Sequence, residues 1–195
     1  MIDDHTPKKR WPAPAVAAVA AFLMGLMACG DDPFAFNWSD APDTVQLYSL
    51  ARPELDLLSG FSFVPPPSAA IVERPNATGS WDIAIDTRGG ELVILPPGAL
   101  GITARARVSV LGAVNFDEVV AAPEDTLLYE DDQAVPLSAG SVYVVRSNRR
   151  AGSFGSSCEY YAKMEPVTID VAEGRLLFRY VASPICNSRD LVPPE

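Results

Sequence analysis

The apolar residues of this 195-residue chain fall in short bursts separated by proline, glycine, asparagine or aspartate. The clearest bursts occupy residues 45–50, 81–86, 91–95, 105–110 and 141–146. Apolar and polar positions alternate within most of them, which is typical of β-strands with one buried face. Composition supports this interpretation, because 18 prolines and 13 glycines favour many turns and few long helices. The pattern predicts an all-β domain, built as an antiparallel sandwich or a partly open barrel.

The last third of the chain carries the most regular pattern. Val167, Ile169 and Val171 alternate with Thr168 and Asp170 before the turn at 172–174. After it, Leu176, Phe178 and Tyr180 alternate with Leu177, Arg179 and Val181. Two such segments around a glycine-containing turn predict a β-hairpin with one dry face. A regular hairpin places Ile169 opposite Leu176 and Val167 opposite Phe178. A second hairpin is predicted around Arg88-Gly89-Gly90, because glycine adopts the positive φ of tight turns.

A different apolar run, at residues 13–28, follows three basic residues (Lys8, Lys9 and Arg10). It has about 16 residues, whereas a bilayer-spanning helix needs about 20. A basic start, a short apolar run and a small residue before the break are typical of an export signal. The alternatives are an ordinary secretory signal with a chance cysteine and an uncleaved anchor.

The end of this run, Leu26-Met27-Ala28-Cys29, resembles the lipobox of bacterial lipoproteins. The resemblance implies that Cys29 carries a diacylglycerol group and a further acyl chain such as palmitate, which together make membrane attachment stable. The residue after Cys29 is Gly30. In enteric bacteria an aspartate at this position retains a lipoprotein in the inner membrane. We therefore predict a cell-envelope protein anchored in the outer membrane, facing the periplasm or the cell surface. Residues 1–28 are then a signal peptide, 29–43 a lipidated tether and 44–195 a single β-rich domain.

Acylation of Cys29 leaves two thiols, Cys158 and Cys186, in an exported domain where disulfides persist. The predicted hairpin pairing places them nearly opposite, one residue out of register. A β-bulge near Pro166 or Pro184 would absorb that slip. We predict a Cys158–Cys186 disulfide, with two buried free cysteines as the alternative.

Charge argues against nucleic acid as a partner. Three of the 15 basic and two of the 25 acidic residues precede Cys29, so the remaining chain carries 12 basic and 23 acidic residues and a net charge of −11. Such a field is expected to repel nucleic acid and anionic lipid. The basic residues are scattered, apart from Arg146, Arg149 and Arg150, which could bind an anionic ligand or form the solvated face of a loop. Phe154, Tyr160 and Tyr161 could add an aromatic platform or pack internally.

The only histidine, His5, lies upstream of the predicted cleavage point. This excludes Ser-His-Asp and Cys-His catalysis and histidine-ligated metals in their ordinary form. The acidic residues at 124–125 and 130–132 lack EF-hand spacing, so a solvated turn is favoured over a calcium site. No catalytic, metal or cofactor site is predicted. A pair of carboxylates acting on glycans is the remaining enzyme hypothesis.

Three stretches together resemble the all-β haem-binding lipoproteins of the HmuY type. They are residues 81–86, residues 116–119 with 122–125, and residues 161–163 leading through Gly174 to 177–180. The resemblance implies the β fold and the envelope location. Members of that family hold haem iron between two histidines, which this chain cannot supply after Cys29. Met164 is a conceivable substitute ligand, although a core methionine is favoured.

These observations predict a membrane-anchored, exported binding module for a small ligand or an envelope partner. The alternatives are a structural envelope protein and a histidine-free carboxylate hydrolase.

Overall fold

The computed structural model describes residues 38–39, 41–152 and 155–194. These residues contain thirteen β-strands and three short 3-10 turns, and none of them lies in an α-helix. The strands are β1 (Asp43–Tyr48), β2 (Gly60–Ser62), β3 (Ser68–Ala70), β4 (Ile83–Arg88), β5 (Glu91–Leu95), β6 (Arg107–Gly112), β7 (Tyr129–Glu130), β8 (Val135–Pro136), β9 (Val142–Arg146), β10 (Arg150–Ala151), β11 (Ser157–Cys158), β12 (Tyr161–Asp170) and β13 (Arg175–Ala182). The 3-10 turns are Pro97–Leu100, Phe116–Glu118 and Thr126–Leu128. The predicted all-β class is confirmed.

Two antiparallel sheets face each other across a shared core. The first has the order β1-β13-β12-β9-β6-β7 and the second β3-β2-β4-β5-β8, while β10 and β11 form a separate pair. Neither sheet closes into a barrel. The core between them takes apolar side chains from both, including Leu47, Phe61, Ile85, Tyr143 and Phe178. The sandwich is therefore the predicted alternative that this chain adopts.

Alternate positions of the central strands are also buried, against two smaller clusters on the outer faces. Val142 and Val144 of β9 pack beneath Phe116 and Leu191. On the other sheet, Ala84, Val93 and Leu95 pack beneath Trp81. Several strands are therefore buried on both faces. One face of each packs into the central core and the other packs against an outer cluster, so both sets of alternating residues are buried.

The C-terminal hairpin has the predicted register on one side of a bulge. Ile169 lies opposite Leu176, as predicted. Phe178 pairs with Pro166 instead of Val167, because the register shifts between Pro166 and Thr168. Val167 is the extra residue of this bulge and is 54% exposed. The bulge near Pro166 is confirmed and the Val167–Phe178 pair is wrong, since proline cannot donate to the ladder and favours an interruption there.

The predicted disulfide is confirmed, with a Cα–Cα distance of 5.0 Å between Cys158 and Cys186. It lies beyond the hairpin itself, because Cys158 belongs to β11 and Cys186 follows β13. The β4–β5 hairpin also forms as predicted, with Gly89 and Gly90 at φ of 62° and 85°. The predicted lipobox and Cys29 lie outside the described residues. Within the described part of the chain, no helix has the length and apolar character to cross a membrane.

Candidate functional site

The register of the six-stranded sheet defines two ends of the sandwich. At one end Tyr48 lies opposite Arg175, beside the turn that joins β12 to β13. At the other end Tyr161 lies opposite Arg146. β1 begins at Asp43 and runs toward the β12–β13 turn. We call the end at this turn the cleft end, and the opposite end, which carries Arg105, Arg107, Arg146, Arg149 and Arg150, the arginine end.

A cleft of about 390 Å³ opens at the cleft end, between the β1–β2 connection, the end of β4 and the β12–β13 turn. A volume of this order accommodates a small ligand. Its walls combine apolar, hydroxyl and charged side chains. The lining residues are Ser49, Ala51, Arg52, Pro53, Glu54, Thr87, Val171, Ala172, Glu173 and Gly174.

Ser49 holds these three segments together. Its Oγ accepts hydrogen bonds from Thr87 Oγ1 at 2.9 Å and from the Ala51 amide at 3.1 Å, and lies 3.5 Å from Asp86 Oδ1, to which it donates. Its own amide donates to the Gly174 carbonyl oxygen at 2.8 Å. A Cβ at Gly174 would lie 3.0 Å from the Ser49 Cβ, and φ there is +55°, so glycine permits this close approach.

Arg52 forms the charged rim of the cleft. Its Nε and Nη2 donate to the two carboxylate oxygens of Glu54 at 3.1 and 3.0 Å, and Nη1 donates to the Glu173 carbonyl oxygen at 2.7 Å. The hydrogen bond from Arg52 lowers the pKa of the Glu54 carboxyl. The Glu173 carboxylate lies 3.7 Å from Arg52 Nη1 and its side chain is 67% exposed. One guanidinium thus serves two carboxylates, and Glu173 also faces solvent.

The chemistry of the cleft suits binding. Ser49 Oγ is hydrogen-bonded to a hydroxyl, an amide and a carboxylate, and the chain's single histidine, His5, lies outside the described residues. The described residues hold no group of three or more His, Cys, Asp or Glu side chains that could bind a metal ion. Hydrogen-bonding groups around apolar walls are the common composition of ligand sites.

The predicted ligand surface lies at the arginine end, away from the cleft. Arg146 and Arg149 both bind Glu159, with 2.7 Å from Arg146 Nε to Oε2 and 2.6 Å from Arg149 Nε to Oε1. Burial raises the pKa of Glu159, but the hydrogen bonds from Arg149 and Arg146 outweigh it and leave the pKa below the ordinary 4.5. Arg150 Nη2 donates to the Gly79 carbonyl oxygen at 3.4 Å. The three arginines therefore also serve the fold.

The predicted aromatic residues divide. Tyr160 and Tyr161 are half-buried at the arginine end, and Phe154 lies outside the described residues. Met164 is fully buried in the central core, which agrees with the prediction of a core methionine. At the acidic turn, Asp131 forms an ion pair with Arg107 at 2.8 Å, which agrees with a solvated turn.

The cleft residues were missed in the sequence because they come from three distant segments, namely the β1–β2 connection, the end of β4 and the β12–β13 turn. Arg52 and Glu173 are 121 positions apart, and Thr87 comes from the other sheet. The available signal was that polar residues flank the two predicted turns at 88–90 and 172–174. Strand order, which the sequence does not reveal, decides that these turns lie beside the β1–β2 connection. No protein-family model, no curated protein and no solved structure matches this chain, so the geometry is the basis for a functional proposal.

Proposed function

We propose that this protein is a lipid-anchored envelope protein whose β-sandwich is a binding module, with the cleft as its ligand site. The lipobox resemblance at Cys29 supports the anchor, and the disulfide agrees with an exported domain. Neither the anchor nor the ligand follows from the fold alone, since folds of this class host many functions.

One observation carries the proposal: the cleft lies at the end of the sandwich opposite the one from which β1 begins. β1 enters the sheet at Asp43 beside Tyr180 and ends at Tyr48 beside Arg175. Six residues of strand span about 20 Å. A tether upstream of Asp43 would therefore join the sandwich at the end opposite the cleft, which leaves the cleft free to meet molecules of the envelope.

The cleft favours a small ligand or a short peptide segment that has both apolar and polar groups. Val171, Ala172 and Pro53 would contact the apolar part. Arg52 and Glu173, together with Thr87, would bind polar groups at the rim. Because the cleft lining carries two carboxylates and one guanidinium, its charge excess is negative, which favours a neutral or cationic group over an anion.

The test is ligand retention by the processed protein, purified from the envelope of a bacterial host that expresses the full chain. Small molecules and peptides released on denaturation are identified by mass spectrometry and then titrated back by calorimetry. Val171→Trp should fill the cleft and abolish retention. Val167→Trp is the matched control, because Val167 is exposed on β12 but lies outside the cleft lining. Equal retention, or equal absence of any ligand, in the wild type and Val171→Trp would overturn the proposal. Incorporation of labelled palmitate, lost in Cys29→Ala, tests the anchor separately.

A further inference from the structure

We propose that the arginine end docks against the anionic headgroups of the membrane to which Cys29 is tethered, so that the protein stands on the bilayer in one orientation. This rests on the lipid anchor of the proposed function, but it does not depend on what the cleft binds. Three features of the described residues carry it: the distribution of charge, the direction of β1 and the aromatic neighbours of the arginines.

Charge is unevenly distributed over the sandwich. Five of the 12 basic residues that follow Cys29 lie at the arginine end, where Arg105 is exposed and the Arg149 side chain is 47% exposed. The acidic residues Glu130, Asp131 and Asp132 are confined to the β7 side, where Asp131 binds Arg107. The remaining side carries Arg105, Arg146, Arg149 and Arg150. Arg146 and Arg149 bind Glu159 there, and Asp82 is fully buried. Asp43, which begins β1 beside Tyr180, also lies toward this end, so the basic excess is local to the side that carries Arg105, Arg146, Arg149 and Arg150.

The chain enters the fold from this end. β1 is the edge strand beside β13, and extending it backward from Asp43 leads past Tyr180 toward the arginine end. Thirteen residues separate Cys29 from Asp43 in the sequence, a reach of at most about 45 Å. The arginine end is therefore within reach of the bilayer, although a tether of that reach leaves the orientation to be decided by surface forces.

Those forces favour contact through the arginines. The net charge of the whole chain is expected to repel anionic lipid. At physiological ionic strength, however, charges are screened beyond about 8 Å, so the charges nearest the bilayer decide a local contact. Guanidinium groups bind phosphate through paired hydrogen bonds, and basic clusters near an anchor bind anionic lipid surfaces. Tyr160 and Tyr161 stand half-buried beside Arg146 and Arg149, and tyrosine is enriched at membrane interfaces. The acidic cleft end would be repelled, which turns the cleft outward.

The test uses the processed, acylated protein reconstituted in vesicles of phosphatidylcholine alone or with 30% phosphatidylglycerol. Hydrogen exchange of residues 104–108, 146–152 and 155–161 should be at least threefold slower in the anionic vesicles, and exchange of residues 170–175 should be unchanged. Salt at 0.5 M should remove the difference without any mutation. Arg105→Glu with Arg149→Glu should also remove it. Arg88→Glu with Arg175→Glu, at the cleft end, makes the same change in net charge and should not.

The outcomes separate this proposal from the anchor and from the cleft. Flotation with neutral vesicles depends on the acyl chains, so its loss would overturn the anchor and docking together. Flotation with equal exchange in both vesicle types, or an equal effect of the two double variants, would overturn docking alone. Ligand retention in the cleft is measured on the detergent-solubilised protein, so it is independent of both membrane anchoring and docking.

Discussion

The backbone amide of Asn148 donates to Oδ1 of Asp82 at 2.7 Å, and joins the two sheets where the arginine end begins. Asp82 precedes β4 of the five-stranded sheet, and Asn148 follows β9 of the six-stranded sheet. The second oxygen of Asp82 accepts from the Phe63 amide at 2.6 Å. Burial raises the pKa of Asp82, and these two amide donors act in the opposite direction. A fully buried carboxyl is tolerated here because backbone donors surround it.

The Asn148 side chain is expected to contribute strongly to the stability of this junction between the two sheets. Its Oδ1 accepts from the Arg105 and Ala106 amides, and its Nδ2 donates to the Trp81 carbonyl oxygen at 2.7 Å. Asn148→Ala leaves these three backbone groups without partners, which should lower the free energy of unfolding by about 3 kcal/mol or more. Urea denaturation measures this loss.

Asn115→Ala is the matched control for Asn148→Ala. Asn115 is exposed and caps the 3-10 turn Phe116–Glu118 by accepting from the Asp117 amide, so its loss should cost about 1 kcal/mol. Equal losses in the two variants would contradict the role given to Asn148.

The disulfide is expected to supply much of the stability at the arginine end. Cys158 and Cys186 close a loop with a sequence separation of 28. In the chain-entropy model such a cross-link stabilises by about 3 to 4 kcal/mol. The double variant Cys158→Ser with Cys186→Ser should therefore unfold at a markedly lower urea concentration than the oxidised wild type. Under strong reductant the wild type should approach the variant; an unchanged midpoint would contradict the prediction.

Acid should weaken the ion-pair cluster around Glu159. Its pKa is lowered in the folded protein, so the deprotonated form contributes stability above about pH 4.5, and that contribution is lost as pH falls through the lower folded value. Wild-type stability should therefore decline more steeply than that of Glu159→Gln between pH 5 and pH 3. Urea denaturation at each pH gives both curves, because urea is uncharged and does not screen the ion pairs.

Glu91→Gln controls for the loss of one negative charge, because Glu91 is exposed in the β4–β5 hairpin, away from Glu159. Its curve should run parallel to that of the wild type. If Glu159→Gln also ran parallel to the wild type, the cluster would not be the source of the acid sensitivity.

Arg52 is expected to hold the β1–β2 connection against the β12–β13 turn while adding little to the free energy of unfolding. Arg52→Ala removes the hydrogen bonds to Glu54 and to the Glu173 carbonyl oxygen. The β1–β2 connection should then open more often, which speeds hydrogen exchange at the Ser49 amide several-fold. Arg74→Ala is the control, since Arg74 is exposed and lies outside the cleft lining. Unchanged exchange at Ser49 in Arg52→Ala would contradict the prediction.

Local patterns predicted the parts of this fold that depend on neighbouring residues. Gly89 and Gly90 predicted their hairpin because a tight turn needs positive φ. Ile169 was placed opposite Leu176 because period-two alternation sets which side chains share a face. The same pairing, set beside the positions of Cys158 and Cys186, predicted the disulfide and a bulge near Pro166 or Pro184, and the structure has it at Pro166. It could not choose the bulged residue, since Val167 was apolar enough to be taken for a core position.

What the sequence by itself determined is the all-β class, two hairpins and the disulfide, because each arises from alternation, turn chemistry or cysteine spacing along one stretch of chain. Tertiary structure decided that Ser49, Thr87 and Gly174 meet in a cleft, and that Arg146 and Arg149 share Glu159 instead of standing free. The physical reason is that strand order brings distant turns together. Residues from three turns form one site only after the two sheets have packed on their common core.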